Sequence, residues 1–320
     1  LERAAVLLTE RNEEFGQSIS AESAKPITTA RIEASRAVDT LRFSAVQART
    51  LVGEMVAMDA TPAGVGKLGY VKRVPIGVIG AISPFNFPLN LVCHKIAPAL
   101  AAGCPVVLKP ASATPLTALK IARLFEEAGL PPGWLNVVTC PGSVADRLVT
   151  HDDVAMITFT GSPDVGWGIR ARGARKRVSL ELGNNAPVII EPDGDWSTAA
   201  AKIKVAGFSH AGQSCISTQR ILVHRSIADE FTSTLVAHVE LDLGEGRLVV
   251  VLFLLRLDAR HRRHVVLQPP HQVGRRVGIG QALVAGDHVG GDQARQVLLE
   301  SLRAFGQRLL HRLLHAGEVA

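Results

Sequence analysis

Short apolar runs alternate with amphipathic, helix-like segments between residues 77 and 182. The runs predict five buried strands: Val78–Ile82, Val106–Lys109, Asn136–Thr139, Met156–Thr160 and Arg177–Leu182. The segments between them predict four helices: Leu89–Ala102, Thr114–Ala128, Ser143–Thr150 and Pro163–Arg172. Strands that alternate with helices pair in parallel and are covered on both faces, so the sequence predicts an α/β protein. Binding sites in such folds lie beyond the carboxyl ends of the strands.

The residues before this region predict helices followed by a hairpin. Apolar residues recur at helical spacing up to Ile19, and Arg31–Ala57 carries a second long helical pattern. Glycine and proline around Thr61–Gly69 break that pattern, and a strand-like run follows from Tyr70. The segment Gly64-Val-Gly-Lys-Leu-Gly69 matches the G-x-G-x-x-G dinucleotide fingerprint. We reject that role and predict a hairpin turn, because the fingerprint needs a strand before it and a helix after it.

Composition places the chain among ordinary globular proteins. Its 320 residues fit about two domains, and 47% hydrophobic with 20% charged residues supplies a core. The four cysteines are too scattered for a disulfide framework or a zinc site, so we expect a cytoplasmic, reducing environment and no metal. The longest apolar run, Leu248–Leu255, is far shorter than the roughly 20 residues that span a bilayer, so no membrane association is expected. The chain starts at Leu1 inside a helical pattern, without a signal peptide, so we expect an incomplete N-terminus.

Residue usage changes abruptly near residue 241. Residues 241–320 contain 11 arginines and no lysine, 16 leucines, and only one serine and one isoleucine. They carry +4 of the total charge of +6, so the preceding residues are nearly balanced and show no basic stripe for nucleic acid. We hypothesise that this tail is out-of-frame translation of GC-rich DNA, the alternative being a genuine Arg/Leu-rich domain. Resequencing codons 230–320 and translating all three forward frames would decide between them.

Five side chains with chemical potential follow predicted strands or glycine turns, and each has two interpretations. Asn86 is held between two prolines, where its amide can donate to an oxyanion or form an Asx turn. Lys109 ends a strand and can meet a ribose or phosphate, or simply be solvated. Ser162 can cap a helix with or without a phosphate at the helix start. Glu181 can be a general base or a structural partner. Cys215 lies between a glycine loop and a predicted strand, Ile216–Val223, and can be a nucleophile or a small buried apolar residue.

Several short motifs, in this order, resemble the aldehyde dehydrogenase superfamily over about residues 1–240. They are Pro84-Phe-Asn-Phe-Pro88, Leu108-Lys-Pro110, Ala128-Gly-Leu-Pro-Pro-Gly133 with Leu135-Asn-Val-Val138, Phe159-Thr-Gly-Ser162, Glu181-Leu-Gly183 and Gly212-Gln-Ser-Cys215. One such motif is weak, but their order and spacing match the family across the 130 residues from Asn86 to Cys215. The resemblance implies a Rossmann-like NAD(P)-binding domain over 1–183, with a 57–75 hairpin of the oligomerisation type. It also implies that residues 184–240 are the start of an α/β catalytic domain, which is incomplete in this chain.

The resemblance implies a role for each candidate. Cys215 aligns with the catalytic thiol, Glu181 with the general base and Asn86 with the amide of the oxyanion hole. The cofactor-binding residues that it implies are Lys109, Ser112, Gly161, Ser162, Ser83 and Phe85. The implied reaction oxidises a small aldehyde to a carboxylic acid through a cysteine thiohemiacetal and thioester, with hydride transfer to NAD(P).

The sequence departs from the family's pattern in three places. Ser112 replaces a frequent Glu that would repel a 2′-phosphate, so we expect NADP to be accepted as well as NAD. Asn184 replaces the second glycine after Glu181, with little expected effect. Residues 241–320 lack the Glu-x-Phe-Gly-Pro motif that holds the nicotinamide ribose and the strand used in oligomerisation. The family's homo-oligomer is therefore in doubt, and we expect impaired activity, because a site misplaced by about 1 Å can lose roughly 100-fold in rate.

Two other functions and several substrates stay open. A CoA-acylating aldehyde dehydrogenase would release the thioester to CoA rather than to water, but the retained Glu181 favours water. A non-catalytic fragment would still bind a nucleotide through Lys109 and Ser162. The aldehyde can be a semialdehyde, a hydroxyaldehyde such as lactaldehyde, or an aromatic aldehyde, because the far wall of the family's pocket lies in the unmatched region.

Overall fold

The computed structural model describes residues 1–173, 175–242, 254–257 and 264–268. Residues 1–183 and 213–215 form one compact unit, and the other described residues form a second. Among the helices that the structure describes, none is both long enough and apolar enough to cross a bilayer.

Three helices open the first unit because apolar residues recur on one face of each. They are α1 (Glu2–Glu10), α2 (Asn12–Ser23) and α3 (Ile27–Thr50). Ala24 ends α2 in a left-handed conformation with φ 54°, and Pro26 stands at the N-cap position of α3. Small side chains such as Ala34 and Ala37 are fully buried along α3, which lets neighbouring elements approach it closely.

A short antiparallel hairpin follows α3. Its strands are β1 (Glu54–Val56) and β2 (Gly69–Val71). The helix predicted over Arg31–Ala57 is wrong in its last residues, since α3 ends at Thr50 and β1 pairs with β2. Gly53 permits this pairing, because a Cβ there would lie 1.8 Å from the carbonyl oxygen of Val71. Residues 57–68 connect the two strands, so the segment that begins at Gly64 lies in the hairpin loop and runs into β2.

Five parallel strands form the centre of the first unit. In chain order, the strands and their connecting helices are β3 (Val78–Ile82), α4 (Asn90–Ala101), β4 (Val106–Lys109), α5 (Leu116–Glu127), β5 (Leu135–Val137), α6 (Gly142–Thr150), β6 (Val154–Thr160), α7 (Pro163–Arg172) and β7 (Arg177–Glu181). The predicted α/β fold is confirmed, with element ends shifted by a few residues. The strand order is β5-β4-β3-β6-β7, so the chain leaves β3 first on one side and then on the other. The loop after β3 therefore lies at the switch point where such sheets bind ligands.

Separate clusters of buried side chains join the helices to this sheet. One cluster brings Ile96 of α4 and Phe125 of α5 together with Leu108 of β4. Another brings Val149 of α6 together with Ile157 of β6. Each fully buried Leu, Ile or Phe side chain contributes roughly 1.5–3 kcal/mol, so these clusters fix the strand ends that carry the candidate site.

The second unit contains a mixed sheet and two helices. Its elements are β8 (Pro187–Ile190), α8 (Trp196–Phe208), β9 (Arg220–His224), α9 (Ala228–Asp242), β10 (Leu254–Leu257) and β11 (His264–Gln268). β8 is parallel to β9, whereas β11 and β10 are added antiparallel, in the order β10-β11-β9-β8.

Two sequence predictions fall on the second unit. The strand predicted from Ile216 begins only at Arg220, because the Thr218 N–H donates to the Ala206 carbonyl and not to a neighbouring strand. The out-of-frame hypothesis for residues 241–320 falls on a region of which the structure describes the end of α9 and the strands β10 and β11. The rest of that region lies outside the described residues, and the hypothesis stays a prediction.

Candidate active site

The carboxyl ends of neighbouring strands bring the predicted candidates to one edge of the five-stranded sheet. β3 and β4 end side by side, and the Ser83 N–H donates to the Lys109 carbonyl at 3.2 Å. On the other side of β3, Thr160 of β6 is the register partner of Glu181 at the end of β7. The Gly161 N–H donates to the Glu181 carbonyl at 3.0 Å. Residues far apart in the chain thus share the edge where parallel sheets bind ligands.

The loop after β3 carries Asn86 to a distant segment of the chain. Asn86 Nδ2 donates to the carbonyl oxygen of Gln213 at 2.8 Å, and residues 213–215 belong to the same unit as the loop. Asn86 Oδ1 is buried and has no hydrogen-bond partner among the described residues. Pro84 and Pro88 restrict the backbone on both sides of the amide. Because an amide nitrogen carries two N–H groups, Asn86 keeps one donor for a group beside Cys215.

The four cysteines differ in exposure. Cys93 and Cys104 are buried, Cys140 and Cys215 are half-buried, and all four thiols are free of disulfides. Burial raises the pKa of the Cys93 thiol, so this thiol stays protonated and is a poor nucleophile. Cys140 lies in a cavity at the ends of β4 and β5, whereas Cys215 lies in the segment bound by Asn86. Among the four cysteines, Cys215 is therefore the one whose own chain segment is hydrogen-bonded to the Asn86 amide.

A buried lysine lies within electrostatic range of Glu181. Lys95 of α4 is 5% exposed, and its Nζ donates to Thr160 Oγ1 at 2.8 Å and to Thr158 Oγ1 at 3.2 Å. Burial lowers the pKa of Lys95 to about 8, and the negative charge of Glu181 opposes this shift. The Glu181 side chain itself is exposed at the end of β7. Lys95 can therefore exchange a proton near neutral pH, within the electrostatic reach of the candidate base.

Sequence reasoning missed Lys95. Its signal is a lysine next to the fully buried Ile96 on an otherwise apolar helix, a place where an unpaired charge is costly. The neighbouring His94 has a pKa lowered by burial and then by the charges of Arg36 and Lys95, while Glu181 raises it. Lys95 and His94 thus both lie within electrostatic range of Glu181.

A cavity of about 420 Å³ opens beyond the ends of β4 and β5. It is lined by Pro110, Ala111, Ser112, Pro115, Thr139, Cys140 and Pro141. None of these lining residues is acidic, and the Ser112 hydroxyl donates to the Cys140 carbonyl at 3.4 Å. Lys109 ends β4 immediately before this cavity. Its size falls within the range of small-molecule sites, and its lining residues carry no charge.

Gly161 and Ser162 form the turn between β6 and α7. Ser162 occupies the predicted N-cap position, but its hydroxyl makes no capping hydrogen bond. The first N–H groups of α7 therefore lack a side-chain cap, and a helix N-terminus of this kind favours an anion. A Cβ at Gly161 would lie 2.5 Å from Phe159 Cζ, so any larger residue at this turn would force the Phe159 ring to shift.

The edge fits the NAD(P) cofactor that the resemblance implies. The α7 N-terminus suits a pyrophosphate, and the cavity after β4 has room for an adenosine. Ser83 is 4% exposed, and its Oγ has no hydrogen-bond partner among the described residues. Its hydroxyl can therefore donate a hydrogen bond to a ligand at the switch point. Phe85 is 43% exposed in the same loop, and its carbonyl accepts a hydrogen bond from the Thr114 hydroxyl at 3.4 Å.

Comparison with known proteins identifies the family. A model of the aldehyde dehydrogenase family matches residues 1–248. The chain is 48% identical over 236 residues to 3-sulfolactaldehyde dehydrogenase of Priestia aryabhattai, covering 73% of this chain and 50% of that protein. It is 40% identical over 245 residues to the mitochondrial succinate-semialdehyde dehydrogenase of Arabidopsis thaliana, covering 75% of this chain and 46% of that protein.

A solved structure agrees. NADP-dependent glyceraldehyde-3-phosphate dehydrogenase from Bacillus halodurans, complexed with NADP, matches with a TM-score of 0.73 at 41% identity, covering 75% of this chain and 51% of that one. This chain therefore belongs to the aldehyde dehydrogenase family, and the resemblance found in its motifs is confirmed. It spans about half the length of the curated relatives it matches.

Proposed function

We propose that this chain carries the cofactor site and the reacting side chains of an NAD(P)-dependent aldehyde dehydrogenase that produces a carboxylic acid. The hydrogen bond from Asn86 to the Gln213 carbonyl carries this proposal, because it joins an amide donor to the segment with Cys215. The general base of the proposal, Glu181, ends a strand of the same sheet. Family membership and the order of the motifs support these roles.

In the proposed reaction, the Cys215 thiolate attacks the aldehyde carbon and forms a thiohemiacetal oxyanion. Asn86 donates its second amide N–H to that oxygen, and one such donor is worth about 3–4 kcal/mol of barrier. When bound, the nucleotide supplies the acceptor for the hydride that leaves this carbon. Glu181 takes a proton from a water molecule that attacks the resulting thioester, which releases the acid and regenerates the thiol.

We propose that NADP is accepted as well as NAD. Lys109 ends β4, and Ser112 is a neutral residue in the lining of the adjacent cavity. A 2′-phosphate there meets no carboxylate among the lining residues. The variant Ser112→Glu should bind NADP at least 10-fold more weakly, since like charges in a shared site repel, while NAD binding stays within about twofold. Equal loss for both nucleotides in a titration would contradict the role of Ser112.

We further propose that the substrate is a small aldehyde with an acidic group. Lys95 interacts electrostatically with Glu181, so a buried positive charge lies near the proposed base. The names of the relatives above point the same way, because sulfolactaldehyde, succinate semialdehyde and glyceraldehyde 3-phosphate are all anionic. A panel comparing succinic semialdehyde with uncharged butanal should favour the anion.

The proposal is tested by following reduced nucleotide at its absorbance band with a panel of aldehydes. The full chain should form NAD(P)H with an anionic aldehyde, and Cys215→Ala should abolish the signal. The matched control is Cys104→Ala, which removes a buried thiol away from the edge. Equal rates for Cys215→Ala and the unaltered chain would contradict the proposal.

A second candidate function is a nucleotide-binding fragment without turnover. It is favoured by the end of the family match at residue 248, whereas the nucleotide edge lies within residues 1–183. We retain the proposal that residues 241–320 are out of frame. NADP binding by the chain without any aldehyde oxidation would support the fragment, and turnover would exclude it.

The first unit also offers a surface for self-association. The β1–β2 hairpin exposes Met55 to 69% and Tyr70 to 68%. We propose that this hairpin is the oligomerisation element that the resemblance implies. Charged replacements at both positions should convert an oligomer into monomers in sedimentation experiments, whereas a monomeric unaltered chain would contradict the proposal.

A further inference from the structure

A buried ion pair lies beneath the loop that carries Asn86. Lys25, in the turn before α3, pairs with Glu33 on that helix, and each side chain is 1% exposed. Neither residue belongs to the nucleotide edge or to the proposed reacting groups. Replacing such a pair by apolar residues is often neutral or stabilising, so its presence is weak evidence for a stabilising role.

Both partners of the pair contact the residues that directly follow Asn86. The second oxygen of Glu33, Oε1, accepts hydrogen bonds from the backbone N–H groups of Leu89 at 3.0 Å and Asn90 at 3.1 Å. The ammonium of Lys25 lies 3.8 Å from the centroid of the Phe87 ring. The carboxylate thus receives the first N–H groups of α4, and the ammonium rests against the aromatic residue next to Asn86.

The contacts restrict both the position and the direction of the loop. Glu33 fixes where α4 begins, because its negative charge and its two accepted hydrogen bonds suit a helix N-terminus. The cation–aromatic contact restrains the residue after the amide, and burial of the Lys25 ammonium makes this contact stronger than one at the surface. With Pro88 between these contacts, little backbone freedom remains to move Asn86.

We propose that Lys25 and Glu33 are positioning residues that hold the Asn86 amide where it meets the oxyanion. This inference rests on the proposed function of Asn86. A donor misplaced by about 1 Å loses roughly 100-fold in rate, comparable to removing an oxyanion-hole donor altogether. Nucleotide binding should change far less than turnover, because Lys109 and Gly161 are held by strands that the pair does not touch and the Ser83 N–H is bonded to the Lys109 carbonyl.

The main test is the double variant Lys25→Met/Glu33→Met in the full chain, which also removes the oxygen that accepts from Leu89 and Asn90. It removes both charges together, so that no unpaired charge stays buried. We expect kcat to fall about 10- to 100-fold while the KM for NADP stays within about twofold. The matched control is Glu13→Gln/Arg31→Met, which removes an exposed ion pair between α2 and α3. A folded double variant with unchanged kcat would overturn the proposal.

Amide hydrogen exchange tests the same inference without any turnover. In the variant, the amides of Leu89 and Asn90 should exchange at least about 10-fold faster, since they lose the carboxylate acceptor. The amides of Leu116 and Thr117, which donate to Glu22, should keep their rates and serve as an internal control. Unchanged exchange at Leu89 would overturn the proposal.

A further variant guards against a double variant that does not fold. Glu33→Asp keeps both charges but is one methylene shorter, so it cannot reach Lys25 and the two amides at once. It should raise exchange at Leu89 and lower kcat without changing the KM for NADP, whereas wild-type values for both would overturn the inference. An unaltered chain that oxidises no aldehyde would refute the proposed function, while the exchange comparison would still test the contacts of the pair.

Discussion

Replacing Lys95 with methionine should stabilise the folded protein at neutral pH, and the gain should shrink as the pH rises. Lys95 is 5% exposed, and burial lowers its pKa from 10.5 to about 8. The unfolded chain holds this proton more tightly than the folded one, so the charge opposes folding. The penalty is complete below the folded pKa and disappears as the pH rises through the unfolded value.

The size of the effect follows from the two pKa values. Near pH 7, their difference corresponds to a penalty of about 3 kcal/mol in the free energy of unfolding, at roughly 1.4 kcal/mol per pKa unit. Near pH 9.5, about 1 kcal/mol of it remains. Loss of the donor to Thr158 and Thr160 costs on the order of 1 kcal/mol for each hydroxyl, but this cost does not vary with pH.

The difference between the two pH values is therefore the quantity to measure. Urea unfolding of the unaltered chain and of Lys95→Met, followed by circular dichroism, should show the variant's relative stability falling by about 2 kcal/mol from pH 7 to pH 9.5. Lys120→Met, which alters an exposed lysine paired with Glu14, is the control. A Lys95→Met difference that is the same at both pH values would refute the reasoning about its burial.

Two further predictions test the geometry of the edge and the state of the thiols. Gly161→Ala should weaken NADP binding and lower the free energy of unfolding by about 1–3 kcal/mol, because its Cβ meets the Phe159 ring. Gly142→Ala, where nothing lies within 4 Å of the new Cβ, should change neither in the same titration and melting experiments. Ellman's reagent should modify Cys140 and Cys215 in the folded chain and the two buried thiols only after denaturation, and labelling of all four at one rate would contradict the burial assignments.

The fold of the first unit followed from sequence because its central strands, β3, β4 and β6, are largely buried. Such strands appear as uninterrupted apolar runs such as Val106–Lys109, and the helices between them keep a regular apolar period. Parallel pairing then puts all carboxyl ends at one edge, which brought Lys109 and Glu181 to the same side of the sheet. Local patterns therefore sufficed to predict the fold and to place Lys109 and Glu181 at the same edge of the sheet.

Long-range partners were beyond the reach of local patterns. The end of α3 depended on pairing between β1 and β2, which overrode a continuous helical pattern past Thr50. Glu33 was interpreted only as part of a helix, since its partners Leu89 and Asn90 lie on another element. Lys95 was likewise predicted only as part of a helix, because its burial depends on contacts with a strand, β6, that is distant in the chain.

In the proposed reaction, Cys215 forms a covalent bond to the aldehyde carbon and Glu181 activates the water that releases the product. The most direct measurement is intact and peptide mass spectrometry of the full-chain variant Glu181→Gln after a single turnover with NADP and succinic semialdehyde. Without the base, the thioester should accumulate, giving an acyl adduct on Cys215 and one reduced nucleotide per modified chain. Reduced nucleotide without an adduct on Cys215, or bound NADP with neither product nor adduct, would contradict the claim.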